Sequence, residues 1–308
     1  MTLTPVPLLT NGGTHSAQSF RMMIRDLARG SEGVTEGNDL KVTPLTVPAG
    51  GVLVGDGSGV VRGRAVPWQG HYTAYNVGTE QVAIAPTGGT PRADLVVMRV
   101  LDPEYEGNRS PAKDKIVYFD VIPGVSATAT TPPPGLSAIP LARINLPANT
   151  GTITAAMITD LRRIANPRRD RRIHMIRGFP YSEAPSGADK WSDWPPEARV
   201  QVEIPTWAVS ANLVTQLGVR FSGNPFTRLR HKFGSMFGAE ITMDDDAVTG
   251  WSRENVLLGD TPQITPALRG TTQWLSIQTN QLPSSKFSLD VNASSNAIFD
   301  VEFVEGVL

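Results

Sequence analysis

The chain has 308 residues, a formal net charge of -1 and no cysteine. A near-neutral balance removes any global electrostatic pull toward nucleic acid or an anionic membrane. The missing cysteine excludes disulfides, thiolate metal centres and cysteine nucleophiles. Gly 29 and Pro 25, beside only 19% charged residues, punctuate helices and favour many short strands, and the length accommodates two domains. The fold class is therefore read as mainly β: an N-terminal β-rich module with one or two short helices, then a C-terminal antiparallel β-sandwich of jelly-roll type. Residues 1–16 have no basic stretch followed by an apolar one, which predicts no secretory signal. No run approaches ~18 apolar residues, so no membrane insertion is expected.

Residues 1–15 read as extended, with a turn at Asn11-Gly12-Gly13. A helix follows over roughly 16–29. Phe20, Met23, Ile24 and Leu27 recur at the spacing of one apolar face, Ser16 can cap its start, and Gly30 can take the left-handed position after its end. From 40 to 101 the period changes to strands. Val52 and Val54, a turn at Asp56-Gly57-Ser58-Gly59 and then Val60-Val61 predict a hairpin. Leu95-Val96-Val97-Met98 and Ile116-Val117-Tyr118-Phe119 are apolar on both faces, as in strands covered on both sides. Asp102 to Lys115 reads as a surface loop. The proline-rich segment Thr128 to Gly135 reads as a stiff extended staple. Ile139 to Leu146 returns as a strand, and a short helix is predicted from Thr154 to about Arg163.

Arg162, Arg163, Arg168, Arg169, Arg171, Arg172 and Arg177 form a basic run. A nucleic-acid stripe would interleave aromatic residues for base stacking. None stand here, so the run reads as a solvated linker or a salt-bridge belt between subunits. Gly178 to Pro196 is rich in Gly, Pro, Ser and Asp. The predicted organisation is thus a module at 1–165, an Arg-rich then Pro/Gly-rich linker at 166–197, and a sandwich at 198–308.

In the last segment Trp207, Val209, Ala211, Leu213, Leu217, Val219 and Phe221 fall on one parity, the pattern of a strand with one buried face. Phe237, Ala239, Ile241 and Met243 repeat it, as do Leu275 and Ile277; Phe287, Leu289 and Val291; and Phe299, Val301 and Phe303. Turns at Ser222-Gly223-Asn224-Pro225 and Leu282-Pro283-Ser284 separate these strands. No fixed-period repeat marks a solenoid or propeller.

No nucleophile elbow, phosphate-binding loop, dinucleotide fingerprint or His-Glu-x-x-His helix is present. His15, His71, His174 and His231 are scattered and read as structural or surface groups. Asp244-Asp245-Asp246 lacks the spacing of a calcium loop and reads as a charged loop tip. No catalytic residue, metal site or cofactor is expected. For a glycosidase, which needs two carboxylates about 5–10 Å apart, the candidates are Asp193, Glu254 and Asp260. Trp207 reads as core. Trp251 and Trp274 are the candidates for a glycan or interface surface, since an exposed indole can stack on a sugar ring. Trp191 and Trp194, with Arg168, Arg169, Arg171 and Arg172, are the candidates for subunit contacts.

Ile139-Pro140-Leu141-Ala142-Arg143-Ile144, followed by Ile158-Thr159-Asp160-Leu161-Arg162, resembles the N-terminal module of minor tail and baseplate proteins of siphophages. Pro91-Arg92-Ala93-Asp94-Leu95-Val96-Val97, Gly51-Val52-Leu53-Val54 and the helix after Ala17 fit the same pattern, so the resemblance covers roughly residues 10–165. Beyond Arg199 the chain resembles, more loosely, the β-sandwich ending of phage tail proteins, including those that contact host glycans. The resemblance implies a non-enzymatic virion component of the tail tip, made in the host cytoplasm. It implies a homo-oligomer, trimeric before other states, partnered by other phage tail proteins and by host cell-surface polysaccharide. A virion-associated glycan depolymerase using Glu254 and Asp260 is the alternative, and a stand-alone bacterial lectin is a third reading.

Overall fold

The computed structural model describes residues 10–185, 189–223, 226–244, 250–281 and 287–308. Residues 1–9, Asp245 and Asp246 lie outside that range, as do Asn224-Pro225 and Leu282-Pro283-Ser284 of the two predicted turns. The chain forms two compact units, one running to Pro167 and including Val307–Leu308, the other Arg168–Gly306.

In the first unit, α1 (Ala17–Leu27) starts at Ser16, whose hydroxyl accepts the Ser19 N–H at 3.2 Å, and ends before Gly30 at φ 76°. The face it buries is not the apolar one. Phe20 and Leu27 are exposed, and Arg21 is the helix's buried residue. Its guanidinium donates to the Gln69 carbonyl (2.9 Å), Glu104 (2.9 Å), the Tyr105 hydroxyl (2.8 Å) and Asp102 (3.3 Å). The loop after Asp102 is thus the clamp that holds the helix.

Three antiparallel sheets follow. β1 (Gly33–Val34), β4 (Gly57–Arg62) and β5 (His71–Asn76) make one. β2 (Val42–Pro44), β3 (Gly51–Val54) and β6 (Glu80–Ala83) make the second. The third has the order β10-β9-β7-β8, from β7 (Arg92–Val100), β8 (Val117–Val125), β9 (Ala138–Leu146) and β10 (Ile158–Asp160). The hairpin predicted around Asp56 does not form, because β3 and β4 belong to different sheets. The chain passes between them where Leu40 donates to the Asp56 carbonyl and Gly55 to that of Lys41. Gly57, at φ 132°, sits against Asp39, whose Cα lies 2.5 Å from where a Cβ would stand. β7 is covered on both faces as predicted. Val96, Met98 and Val100 enter the main core, while Leu95 and Val97 pack with Ala138 in a second cluster. β8 is instead an edge strand, with Val117 and Phe119 half-buried. Ala129 and Leu136, around the proline-rich segment, pack on the second cluster. The helix predicted after Thr154 is a single 3-10 turn, Ala155–Met157, leading into β10.

The second unit begins where a linker was predicted. β11 (Arg169–Arg177) alternates exposed and half-buried residues and pairs with β22 (Asn296–Glu305) along its whole length. The sequence hides this strand because arginines take three of its five outward positions, 169, 171 and 177. The sheet has the order β11-β22-β15-β21-β12, with β12 (Ser182–Glu183), β15 (Ala208–Gly223) and β21 (Phe287–Val291); β19 (Trp251–Asp260) pairs the other edge of β15. The second sheet centres on β20 (Thr272–Gln281) and β16 (Phe226–Phe233). β13 (Ser192–Asp193) and β14 (Arg199–Glu203) flank β20, while β17 (Met236–Phe237) and β18 (Ile241–Asp244) flank β16.

All pairings are antiparallel, and both sheets contribute to one core: Leu213, Leu217, Val219, Phe221, Phe299, Val301 and Phe303 from the first, Leu229, Phe233, Leu275 and Ile277 from the second. This is the predicted sandwich. A bulge between Ala208 and Ser210 switches the parity of β15. Ala208 is therefore fully buried, and Trp207 is only half-buried against the core. Phe237, assigned to the inward parity, is outward and exposed. Residues 238–240 leave the ladder between β17 and β18, so the period does not carry through them.

Candidate functional site

Between the two sheets, His231 on β16 bridges to the facing sheet. Its Nδ1 meets Asp260 Oδ2 at 2.5 Å and its Nε2 meets the Thr215 hydroxyl at 2.8 Å. The other Asp260 oxygen accepts the Ala239 N–H at 2.8 Å. With the ring neutral, Nδ1–H donates to Asp260 and the Thr215 hydroxyl donates to Nε2. Burial pushes the His231 pKa down, against the opposing hydrogen bond and charge of Asp260. Hydroxyl, imidazole and carboxylate stand in the order of a nucleophile relay. However, Thr215 is 0% and His231 1% exposed, so no substrate reaches the hydroxyl. The cluster ties the sheets together. His71 is likewise buried, 3.3 Å from the Gly30 carbonyl.

Glu254 and Asp260 lie on one strand, six residues apart. At about 3.3 Å per residue their backbones are about 20 Å apart, well beyond the spacing of a glycosidase pair. Asp193 belongs to the other sheet and is held by Lys232 at 2.9 Å. Among the described residues no group of three or more His, Asp or Glu could hold a metal ion. No helix among them is long and apolar enough to cross a membrane.

The outer faces of the sandwich carry the remaining features. On the first sheet, the register sets Met175, Ile298, Gln216 and Leu257 on one rung and Ile173, Asp300 and Val214 on the next. Leu257 is 64% and Ile173 60% exposed, and Met175 and Val214 are exposed beside them. On the rungs beyond Asp300, Arg171 pairs with Asp300 (2.5 Å) and Arg169 with Glu302 (3.3 Å), so the rim is close to neutral. Arg168 pairs with Glu305, and Arg172 with Asp170 at 2.6 Å. All four arginines proposed for subunit contacts thus have carboxylate partners in their own chain, and Arg169 and Arg171 border the apolar patch. Trp251 lies further along this face, exposed, with the Arg220 guanidinium 4.0 Å from its ring centre.

Trp274 is exposed on the outer face of the second sheet. Since the two sheets enclose one core, Trp251 and Trp274 point to opposite sides of the sandwich and cannot form a single site. Trp194 is not a contact surface. It is 1% exposed within the core, covered by strands that the Pro/Gly-rich composition of its segment concealed. Trp191 lies on the same outer face as Trp274, close to Arg230 and Phe237. Phe237 was assigned to the inward parity in the sequence, and Arg230 was not singled out. The signal for Arg230 was available only as the polar parity of β16: Arg228, Arg230 and Lys232 alternate with buried Leu229, His231 and Phe233.

No family model matches the chain, and no curated protein matches it. Among solved structures the chain is similar to the VP2 subviral particle of infectious bursal disease virus: 10% identity, 90% of this chain and 74% of that one, TM-score 0.25. The structure of the Gt strain of that virus matches at 10% identity over 90% of this chain and 76% of that one, TM-score 0.25. The mosquito-larvicidal Cry4Aa toxin from Bacillus thuringiensis matches at 8% identity over 90% of this chain and 54% of that one, TM-score 0.19. Likenesses of this size carry no functional weight.

Proposed function

We propose that the chain is a non-enzymatic structural protein of a tailed-phage particle, part of its tail tip or baseplate. In this reading it works as a homo-oligomer, a trimer before other states. Its first unit docks on other tail proteins, and its second unit attaches to host-surface glycans. The particle and the docking role come from the sequence strings around Asp94, Leu141 and Asp160. The observation that carries the assembly role is the set of exposed apolar side chains Ile173, Met175, Val214 and Leu257, with Gln216 and the Arg171-paired Asp300 among them and the Arg169–Glu302 pair beside them. Exposed apolar side chains among balanced charges suit a protein interface, and balanced charge suits a second copy of the same chain. The separation of Glu254 from Asp260 weighs against the depolymerase alternative.

The test is the mass of the full chain in solution by light scattering at micromolar concentration. The wild type is expected as an oligomer. Leu257→Arg and Ile173→Asp, both exposed, are expected to give monomers that melt like the wild-type unit. A monodisperse wild-type monomer would overturn the assembly role.

A further inference from the structure

We infer that the outer face of the second sheet binds an extended polysaccharide that carries carboxylate groups, with Arg230 as its principal anchor. This deepens the attachment half of the proposal above and rests on it. The Arg230 guanidinium lies 4.0 Å from the ring centre of Trp191 and 4.2 Å from that of Phe237, so two aromatic rings hold it. Behind it, Gln278 Oε1 accepts from Nε at 3.0 Å and from Nη2 at 2.9 Å. Gln278 donates in turn to Asp193 at 2.8 Å, and Asp193 takes the Lys232 ammonium at 2.9 Å. A neutral amide therefore orients the guanidinium and leaves its charge uncompensated. Of its five N–H groups, three have no acceptor among the described residues.

The register supplies a second cation. Arg199 stands on the rung of Ser276, and its guanidinium lies 4.7 Å from the ring centre of Trp274. Among the described residues no carboxylate lies within ion-pair distance of it, and the carboxylate that feels its charge is Asp193, which is itself paired with Lys232. Two strands over and two residues along, its backbone is about 12 Å from that of Arg230. An extended oligosaccharide spans that distance; a monosaccharide does not. The other cations of this face are matched, Arg228 by Asp189 (2.7 Å) and Glu240 (3.5 Å), and Lys232 by Asp193. Glu203 and Asp244 stand at opposite ends of the face, on the rungs of Thr272 and Phe226. Arg230 and Arg199, each against an aromatic ring, are thus the arginines of this face without an ion-paired carboxylate among the described residues. A planar fork edged by aromatic faces suits a planar carboxylate next to a sugar ring, the carboxylate bound by two parallel N–H groups and the sugar stacked on the ring.

The test is binding of the full-length protein to polygalacturonate, neutral dextran and a phosphate-bearing teichoic acid, alongside intact host-type cells. Binding to polygalacturonate that falls with added salt and weakens about tenfold in Arg230→Gln is expected, one tenfold step being the loss of about one charge-assisted hydrogen bond. Arg230→Lys, which keeps the charge and loses the fork, is expected to weaken it as well. Arg199→Gln, at an exposed side chain with no hydrogen-bond partner, serves as a variant that leaves the fold intact. Equal affinity for dextran, selective binding of teichoic acid, or wild-type affinity in both glutamine variants would overturn this inference and leave glycan attachment standing. No binding to cells or to any of the polymers would overturn both.

Discussion

One run of arginines places its members in two opposite situations. Arg162, in the first unit, has a side chain 0% exposed. It donates to the backbone carbonyls of Gly37 (3.1 Å), Asp39 (2.7 Å) and Leu308 (2.9 Å), and to Asp160. Arg171, in the second unit, has a side chain 60% exposed and pairs with one carboxylate across a strand. Both are charged residues with a partner, yet they do different work. Arg162 joins segments more than a hundred residues apart and satisfies carbonyls that are buried or half-buried. Arg171 covers the outer surface of a sheet that is already paired strand to strand. Burial, and not the number of ion pairs, decides what a charge contributes.

The largest expected effect follows from that difference. Arg162→Met removes the side-chain donors of the Asp39 and Leu308 carbonyls, while the Gly37 carbonyl keeps the Leu308 N–H and Asp160 keeps the backbone N–H of residue 162, and it should lower the stability of the first unit by about 2–3 kcal/mol. Peptide-resolved amide exchange separates the two units and reads the loss as faster exchange in β2 and β10. A loss below about 1 kcal/mol would remove the distinction between the two arginines.

An intermediate effect comes from His231, which is buried like Arg162 but can lose its charge. Burial pushes its pKa down despite Asp260, so the folded second unit holds it neutral where the unfolded chain titrates near ~6.5. Between that value and the lower folded one, the unfolded state binds more protons. Stability is therefore complete above the ordinary histidine value and falls as pH drops below it. Five of the six tryptophans lie in the second unit, so fluorescence follows its unfolding. The urea midpoint should fall between pH ~7 and ~5, and the slope should shrink in His231→Asn. An unchanged slope would place the acid sensitivity elsewhere.

The sandwich was readable in the sequence because its strands alternate strictly: Leu213, Leu217, Val219 and Phe221 face inward as their parity requires. The outward position of Trp274, opposite in parity to Leu275 and Ile277, followed from the same rule, whereas Trp251 was marked by its place just after the Thr249-Gly250 turn signal. β11 was not readable, because a strand whose outer face carries Arg169, Arg171 and Arg177 beside Ile173 and Met175 has no alternation of polar and apolar residues and looks like a charged linker until its carboxylate partners on β22 are known. The helix showed the converse: its apolar spacing was real, but the buried contact is Arg21, whose partners Asp102, Glu104 and Tyr105 come more than eighty residues later. Arg230 between two rings was invisible for the same reason. Trp191, Phe237 and Gln278 are brought to it by three different strands or their flanks, and no local pattern encodes that meeting.

The smallest expected effect tests the other side of the comparison. Arg171→Gln should change the stability of the second unit far less than Arg162→Met changes that of the first, because water screens an exposed pair. The hydrogen bond from Arg171 holds the Asp300 pKa below the usual aspartate range. The contribution of the pair is thus present above that range and is lost as pH falls through the depressed value. A double-mutant cycle with Asp300→Asn isolates the pair from the rest of the belt. A coupling as large as the loss at Arg162 would mean that the outer face of this sheet is covered by a neighbouring copy, because only exclusion of water strengthens an exposed pair to that extent. The cycle run below and above the concentration of assembly would then show the coupling rise as subunits associate. The value for the isolated chain stays small.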